Sequence, residues 1–328
     1  MSSVAHRTIF HAALMAMSVL AARNCLGQSS EGFTLPVIDE RSGTPLAGVH
    51  AVQAVTTEWG GGFEERRNKQ LAFLREATSD ASGKLTFGPR TFVVDPRKPE
   101  HRIRGGAIFL FKPGYCLGVY GDRRSTMNVE GGIVRWVSSW HPAIKLRPCA
   151  DRVEALGDLT DDVAAAGILA AYLASEEYGF CGWRGAPSFL AAVESERWRL
   201  LAGYRSPMRE TPMDTRVYSP LLGKILAEPR ALACGRIEDL VSQVVVTCPG
   251  SGERMQQVTW RSHERPPPGR GGHSPPVLTG RCPSTGKHWH YQDSRGWESS
   301  PAPIPNEWRS WRLPDPPPLH PSRPRDSS

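Results

Sequence analysis

Apolar and polar residues alternate with a period of two through much of the first third of the chain. The pattern covers residues 33–38 and 84–87, and residues 47–55 form a returning stretch of the same kind. Such alternation is typical of strands with one face on a core. Residues 107–111 are continuously apolar, which indicates a strand buried on both faces. These segments predict a small β-sandwich.

The residues between the predicted strands are those that tight turns require. Aspartates accept main-chain hydrogen bonds, glycines adopt positive φ, and proline sets φ for the residue that follows a turn. A Pro-Gly pair suits the two central positions of a type II turn. The predicted turn residues are Asp39, Gly43, Pro45, Gly48, Asp80, Gly83, Pro113 and Gly114.

The period changes to nearly four after residue 150. Val153, Leu156 and Leu159 fall on one face of a predicted helix, which Gly179 would end. A second helix is predicted to begin near Pro187, a residue favoured in the first turn. Residues 151–205 are therefore predicted to form a helical hairpin whose charged residues face solvent, and residues 206–249 form a weakly structured segment.

The last 79 residues have a different composition. More than half of the 29 prolines follow Cys248, among glycine, serine and arginine. Such a segment buries too little apolar surface to offset the entropy of ordering it. Residues 250–328 are predicted to be a disordered tail rich in proline and arginine.

The N-terminus has the features of a secretory signal. Basic residues precede an apolar stretch over residues 9–22, and small residues near position 27 suit cleavage before Gln28. A lipid anchor at Cys25 is disfavoured, because Ala22-Arg23-Asn24 does not fit a lipobox. Residues 1–27 are predicted to be a signal peptide, and the mature protein is expected to be periplasmic or secreted, without a transmembrane segment.

Export changes the interpretation of the cysteines. Of seven cysteines, removal of Cys25 leaves six, which allow fifteen pairings. A bridge between Cys149 and Cys181 would join the predicted sandwich to the helical hairpin, and Cys234 with Cys248 is a second suggestion. Unpaired, buried cysteines are the alternative to both.

Several of these motifs, taken in order, resemble the carboxypeptidase regulatory-like domain. They are Val37-x-Asp39, Gly43-x-Pro45-Leu46-x-Gly48-Val49, Thr78-x-Asp80-x-x-Gly83-x-Leu85-x-Phe87 and Phe111-Lys-Pro-Gly-Tyr115. The resemblance covers residues 31–148 within a predicted domain of residues 28–150. It implies a seven-stranded Greek-key sandwich similar to transthyretin, and a role in binding or stabilising other components without catalysis.

The segments 57–70 and 89–105 are longer than tight hairpins need, and loops on a rigid sandwich are common recognition sites. Arg66, Arg67, Arg102 and Arg104 are the candidate binding residues there. The expected partner is an unknown protein or an envelope component. Nucleic acid is not expected, because the net charge of +7 is modest and the basic residues are scattered.

No catalytic residues, metal ligands or cofactors are predicted. The chain contains no Gly-x-Ser-x-Gly turn and no phosphate-binding glycine loop. His288-Trp289-His290, with His273 and Cys282 nearby, contains metal-ligand residue types, but the spacing is not that of a closed zinc site. Two alternatives stay open: a metal-dependent enzyme similar to intradiol dioxygenases, using Tyr115, Tyr120 and the two histidines, and a structural spacer of the envelope.

Overall fold

A computed structural model describes residues 27–30, 32–60, 68–93, 102–121, 127–130, 133–136, 143–160, 165–203, 221–261, 277–292 and 296–300. The predicted signal peptide lies outside these residues apart from Gly27. Strands account for more of the chain than helices do, so the fold is mainly β, as predicted. The chain divides into two compact units: Met1–Ile108 with Val119–Lys145, and Phe109–Gly118 with Leu146–Ser328.

The first unit is built from strands. In chain order, those described up to residue 146 are β1 (Gly27–Ser30), β2 (Phe33–Asp39), β3 (His50–Trp59), β4 (Asn68–Thr78), β5 (Lys84–Phe87), β6 (Arg90–Val93), β7 (Arg102–Phe111), β8 (Gly118–Gly121), β9 (Met127–Glu130), β10 (Ile133–Trp136) and β11 (Ile144–Leu146). They form three sheets with the orders β4-β3-β7-β8, β11-β2-β5 and β6-β1-β10-β9.

The third of these sheets was not predicted from the sequence. Its strands β1 and β10 pair in parallel, whereas the other pairs in that sheet are antiparallel. With it, the strands described up to residue 146 number eleven rather than the seven that the resemblance implies. The residues of β1, Gly-Gln-Ser-Ser, include no apolar side chain, so hydrophobic periodicity could not identify this strand.

The longest pairing in this unit is the hairpin of β3 and β4. The register runs from His50 opposite Thr78 to Trp59 opposite Asn68, with an irregularity between Val55 and Thr56. Residues 51–58 of β3 are all buried, as expected for an inner strand covered on both faces. In the second sheet, β2 and β5 alternate buried and more exposed residues, which matches their sequence pattern.

The second unit begins with helices, which are α1 (Arg152–Thr160), α2 (Ala165–Ala174), α3 (Pro187–Ala202), α4 (Leu222–Ala227), α5 (Pro229–Leu232) and α6 (Ile237–Val241). A capping box opens α1: Asp151 Oδ1 accepts from the Glu154 main-chain nitrogen at 2.9 Å, and Glu154 accepts from that of Ala150. The residues predicted as one hairpin at 151–205 thus contain three α-helices. No helix among the described residues is long and apolar enough to cross a membrane.

A four-stranded antiparallel sheet follows the helices and corrects the prediction that residues 250–328 are disordered. This C-terminal sheet has the order β12 (Gln256–Arg261), β13 (Val277–Arg281), β14 (His288–Gln292) and β15 (Gly296–Ser300). The proline-rich stretches of the sequence lie before and after the strands and do not interrupt them. Aromatic residues within the strands supply buried apolar area, which the average composition of residues 250–328 did not indicate. Residues 262–276 and 301–328 lie outside the described part.

The disulfides correct the predicted cysteine pairs. Cys116 bonds to Cys149, Cys181 to Cys234, and Cys248 to Cys282, with Cα atoms 5.1, 5.3 and 5.7 Å apart. The predicted bridge between Cys149 and Cys181 is therefore wrong, and so is the pairing of Cys234 with Cys248.

Main-chain hydrogen bonds explain the first of these pairs. The nitrogen of Cys116 donates to the Arg147 oxygen at 3.0 Å, and the nitrogen of Cys149 donates to the Gly114 oxygen at 3.2 Å. This short ladder places the two cysteines side by side, although 33 residues separate them. The sequence pattern did not reveal this pairing.

Candidate functional site

Two interlocked turns form one end of the first unit, which we call the turn end: residues 39–49 and 79–84. Asp39 Oδ1 accepts from the main-chain nitrogens of Arg41 and Ser42 at 2.8 and 2.7 Å. Asp80 Oδ1 accepts from those of Ser82 and Lys84 at 2.8 and 2.9 Å. Hydrogen bonds from the Lys84 main chain and the Ser82 hydroxyl lower the pKa of Asp80.

The glycines of these turns have the backbone conformation that their positions require. Gly43, Gly48 and Gly83 have φ values of 71°, 68° and 74°, and Gly114, in the turn that follows β7, has a φ of 86°. Pro45 lies opposite Ile38 in an isolated bridge. The bonds of Asp39 and Asp80 stabilise each turn by itself, and Ser79 joins the two turns: its Oγ accepts from the Val49 main-chain nitrogen at 2.8 Å and donates to the Leu46 oxygen at 2.7 Å.

The four candidate arginines lie elsewhere in this unit. Arg66 and Arg67 are outside the described residues, in the connection from Trp59 of β3 to Asn68 of β4. Arg102 and Arg104 are the first and third residues of β7, and their side chains are also outside the described part.

The segment 89–105, predicted as a long loop, is partly strand. Residues 90–93 form β6, and β7 begins at Arg102. β7 begins this early because Ile103, which lies between two arginines, continues the period of two of a strand on the N-terminal side of the apolar run at 107–111. The structure places β7 next to β3 in the same sheet.

A buried arginine, which the sequence did not single out, lies among three phenylalanines. The Arg75 guanidinium carbon is 5.6, 5.4 and 5.4 Å from the ring centroids of Phe33, Phe73 and Phe87, within the range of cation–π attraction. Its Nε donates to Gln53 Oε1 at 2.6 Å. Burial, and then the charge of Arg90, lower the pKa of Arg75 to about 10.

Arg75 therefore remains a cation at neutral pH and serves packing. Its side chain extends from β4 and touches Phe33 of β2 and Phe87 of β5, which belong to a different sheet. The sequence analysis predicted no strand over residues 68–78, so this role of Arg75, which lies opposite Gln53 in the register, was missed.

The C-terminal sheet has two chemically different faces. On the inner face, Tyr291 of β14 and Trp297 of β15 pack edge-to-face on Trp198 of α3, with centroids 5.2 and 5.7 Å away. Tyr291 also lies opposite Leu278 of β13, which is fully buried. Because side chains alternate along a strand, His288 and His290 share the outer face.

Charged residues of α3 were predicted to face solvent, and three of them do not. Glu194, Glu196 and Arg197 are buried. Arg197 Nε pairs with Glu194 Oε2 at 2.9 Å, and its guanidinium lies over Trp198, 4.4 Å from the ring centroid. Glu194 also accepts from the Leu222 main-chain nitrogen at 3.4 Å, at the start of α4, so this ion pair joins two helices.

Tyr120, one of the two tyrosines of the dioxygenase-like alternative, has a structural partner. The Tyr120 hydroxyl donates to the Lys145 main-chain oxygen. Burial, and then the charge of Glu40, raise the pKa of Tyr120, which favours the neutral phenol over the phenolate that binds iron. Cys282, considered with the histidines as a ligand, is bonded to Cys248.

Among the described residues, one group of cysteine and acidic side chains meets the spacing of a metal site, namely Cys116, Cys149 and Glu154. Its two cysteines form a disulfide and offer no thiolate. Glu154 pairs with Arg147 at 2.6 Å. The group is therefore explained by the bridge and the capping of α1.

Comparison with known proteins adds no relationship: no family model matches the chain, and no curated protein or solved structure matches it.

Proposed function

We propose that this chain is an exported, non-catalytic binding protein that recognises a protein or an envelope component through Arg66, Arg67, Arg102 and Arg104. Its frame is a Greek-key sandwich like that of the carboxypeptidase regulatory-like domain. Export through the predicted signal peptide would place the six remaining cysteines in an oxidising compartment, and the three disulfides support this placement.

The contacts of Arg75 support the sandwich. In a sandwich, side chains of two sheets interdigitate to form the core. The Arg75 side chain from the sheet of β3 and β4 lies against Phe33 and Phe87 from the sheet of β2 and β5. The interlocked turn end also has the order of turn residues on which the resemblance rests.

The observation that carries the binding proposal is the position of β3. It is buried along residues 51–58 and lies between β4 and β7. The arginine pair at 66 and 67 belongs to the β3–β4 connection, and the pair at 102 and 104 opens β7. Both pairs thus belong to segments anchored in one sheet, and a rigid sheet that carries cationic segments suits recognition of an anionic surface.

The test is charge reversal. The mature protein, immobilised without a basic tag, is used to capture partners from an envelope extract, and the captured proteins are quantified by mass spectrometry. We expect the variant with glutamate at all four positions to lose the partners that the wild type retains. Capture by the wild type should also fall as NaCl is raised, because salt screens exposed charges.

The control matched to each arginine pair places a charge change of the same size at the turn end. Arg41 and Lys84 are exposed there, and the length of β3 separates the turn end from the β3–β4 connection by about 30 Å. Arg41→Glu with Lys84→Glu should leave capture unchanged. The two arginine pairs are also tested separately, as Arg66→Glu with Arg67→Glu and as Arg102→Glu with Arg104→Glu. If both double variants capture as much of the partners as this control does, these arginines are not the recognition surface.

A further inference from the structure

The outer face of the C-terminal sheet presents two histidines in a fixed geometry. β14 is an inner strand, paired with β13 from Leu278 opposite Tyr291 to Arg281 opposite His288, and with β15 from His288 opposite Ser300 to Gln292 opposite Gly296. An inner strand of a sheet holds its residues more rigidly than a loop does. The spacing of His288 and His290 is therefore set by the strand repeat.

Both histidines point away from the aromatic core of this unit. Tyr291, the next residue along, is 3% exposed and contacts Trp198, which identifies the inner face. Met255 covers the same face at Gly280, where a Cβ atom would lie 2.3 Å from its sulfur; Gly280 is opposite Trp289. His288 and His290 are each half-buried on the other face.

The strand register defines the residues across from the histidines. His290 lies opposite Thr279 of β13 and Glu298 of β15, and His288 lies opposite Arg281 and Ser300. Arg281 extends toward the β13–β14 turn, where its Nη2 is 3.7 Å from the Cβ position of Gly286.

We propose that His288 and His290 form a binding site for a divalent transition-metal ion of the zinc or copper type. Neutral imidazole is a preferred ligand of both metals, with bonds of about 2.0–2.1 Å to zinc. Residues two apart on a strand are about 6.6 Å apart along its axis, a span that two imidazole rings on one face close around a shared ion. Water completes the coordination. This site is independent of the proposed arginine surface.

The test is titration of the untagged mature protein with ZnCl2 and CuCl2 by isothermal titration calorimetry, without chelators or thiol reductants. We expect one site per chain. His288→Ala and His290→Ala should each weaken binding at least tenfold, and the double variant should abolish it. Binding should also weaken at acidic pH, because protonated imidazole does not coordinate metal.

A matched control separates this site from histidine content in general. His320→Ala removes one imidazole from beyond residue 300 in the sequence and should leave binding unchanged. Thermal unfolding in EDTA should give the same midpoint for the wild type and the double variant, whereas zinc should raise the midpoint of the wild type alone. Absence of binding heat, or a double variant that binds as tightly as the wild type, would overturn the proposal.

Discussion

Replacement of Gly83 by alanine tests the interlocked turns most sharply. A Cβ atom on Gly83 would lie 2.8 Å from the Pro45 Cβ, 2.8 Å from the Val37 oxygen and 2.9 Å from the Leu46 nitrogen. Two of these three are main-chain atoms, which cannot rotate away as the end of a long side chain can. Gly83 also has a φ of 74°, which L-residues adopt at a cost of about 1–2 kcal/mol.

The expected magnitude follows from these contacts. To restore ordinary separations, the two turns must move apart by roughly half an ångström. That movement strains the hydrogen bonds from Val37 N to the Gly83 oxygen at 2.8 Å and from Leu46 N to the Val37 oxygen at 2.9 Å, each worth about 1 kcal/mol. Together with the backbone cost, we expect Gly83→Ala to lower the free energy of unfolding by about 3–4 kcal/mol.

Gly43 provides the control for the backbone cost alone. Its φ is 71°, and no atom lies within 4 Å of its Cβ position, so Gly43→Ala should cost only about 1–2 kcal/mol. Urea unfolding of the oxidised protein, followed by circular dichroism, measures both variants. Equal unfolding midpoints for the two variants would refute the close approach of the turns.

Three further predictions concern stability. Hydrogen bonds lower the pKa of Asp80 below 3.8 in the folded state, so its stabilising contribution is complete above that pH and is lost as the pH falls further. The stability gap between the wild type and Asp80→Asn, measured by urea unfolding, should therefore stay constant at higher pH and narrow as the pH falls below 3.8. Arg75→Met should lower the free energy of unfolding by about 1–3 kcal/mol, because it leaves the Gln53 oxygen buried without its donor. The double variant Arg75→Met with Gln53→Leu should have nearly the stability of the wild type. If the effects of the two single substitutions simply add in a double-mutant cycle, this coupling is contradicted. The double variant Cys248→Ala with Cys282→Ala opens a loop of 34 residues and should lower the free energy of unfolding by about 3–4 kcal/mol in chemical denaturation. An unchanged unfolding midpoint would show that the bridge does not constrain the chain.

Turns and strands with a regular alternation of apolar and polar residues were predictable because their signals are local. A turn needs a side-chain hydrogen-bond acceptor, which Asp39 and Asp80 provide, or a residue that adopts positive φ, which Gly83 provides. These properties do not depend on distant parts of the chain. The strands β2 and β5 follow from simple alternation because one face is buried and the other is not. β1 lacks such a signal, since its place in a sheet depends on pairing with distant strands.

The C-terminal sheet was missed because composition was averaged over 79 residues. Within that span, Trp289, Tyr291 and Trp297 supply a concentrated apolar face, and Trp198 of α3 covers it. The sequence shows a period of two over His288–Gln292, but Trp198, the residue that covers the apolar face of this strand, lies about ninety residues away in sequence.

Cysteine pairing and buried charge share this dependence on tertiary structure. Cys149 lies at the end of the predicted domain of residues 28–150, so a bridge onward to Cys181 was reasonable from sequence order alone. The ladder that brings Cys116 to Cys149 involves main-chain atoms that carry no sequence signal. Likewise, the charge pattern of α3 predicts that Arg197 faces solvent, and only the tertiary structure shows that it is buried against Glu194 and Trp198.

Peptide mapping of the mature protein, recovered from outside the cytoplasm and digested without reduction, tests the central claim most directly. That claim is that the chain is exported and folds as a disulfide-bonded protein through residue 300. We predict an N-terminus at Gln28 and three linked peptide pairs, joining Cys116 to Cys149, Cys181 to Cys234 and Cys248 to Cys282. Recovery with an intact N-terminus and six alkylatable thiols, or with other linkages, would contradict it.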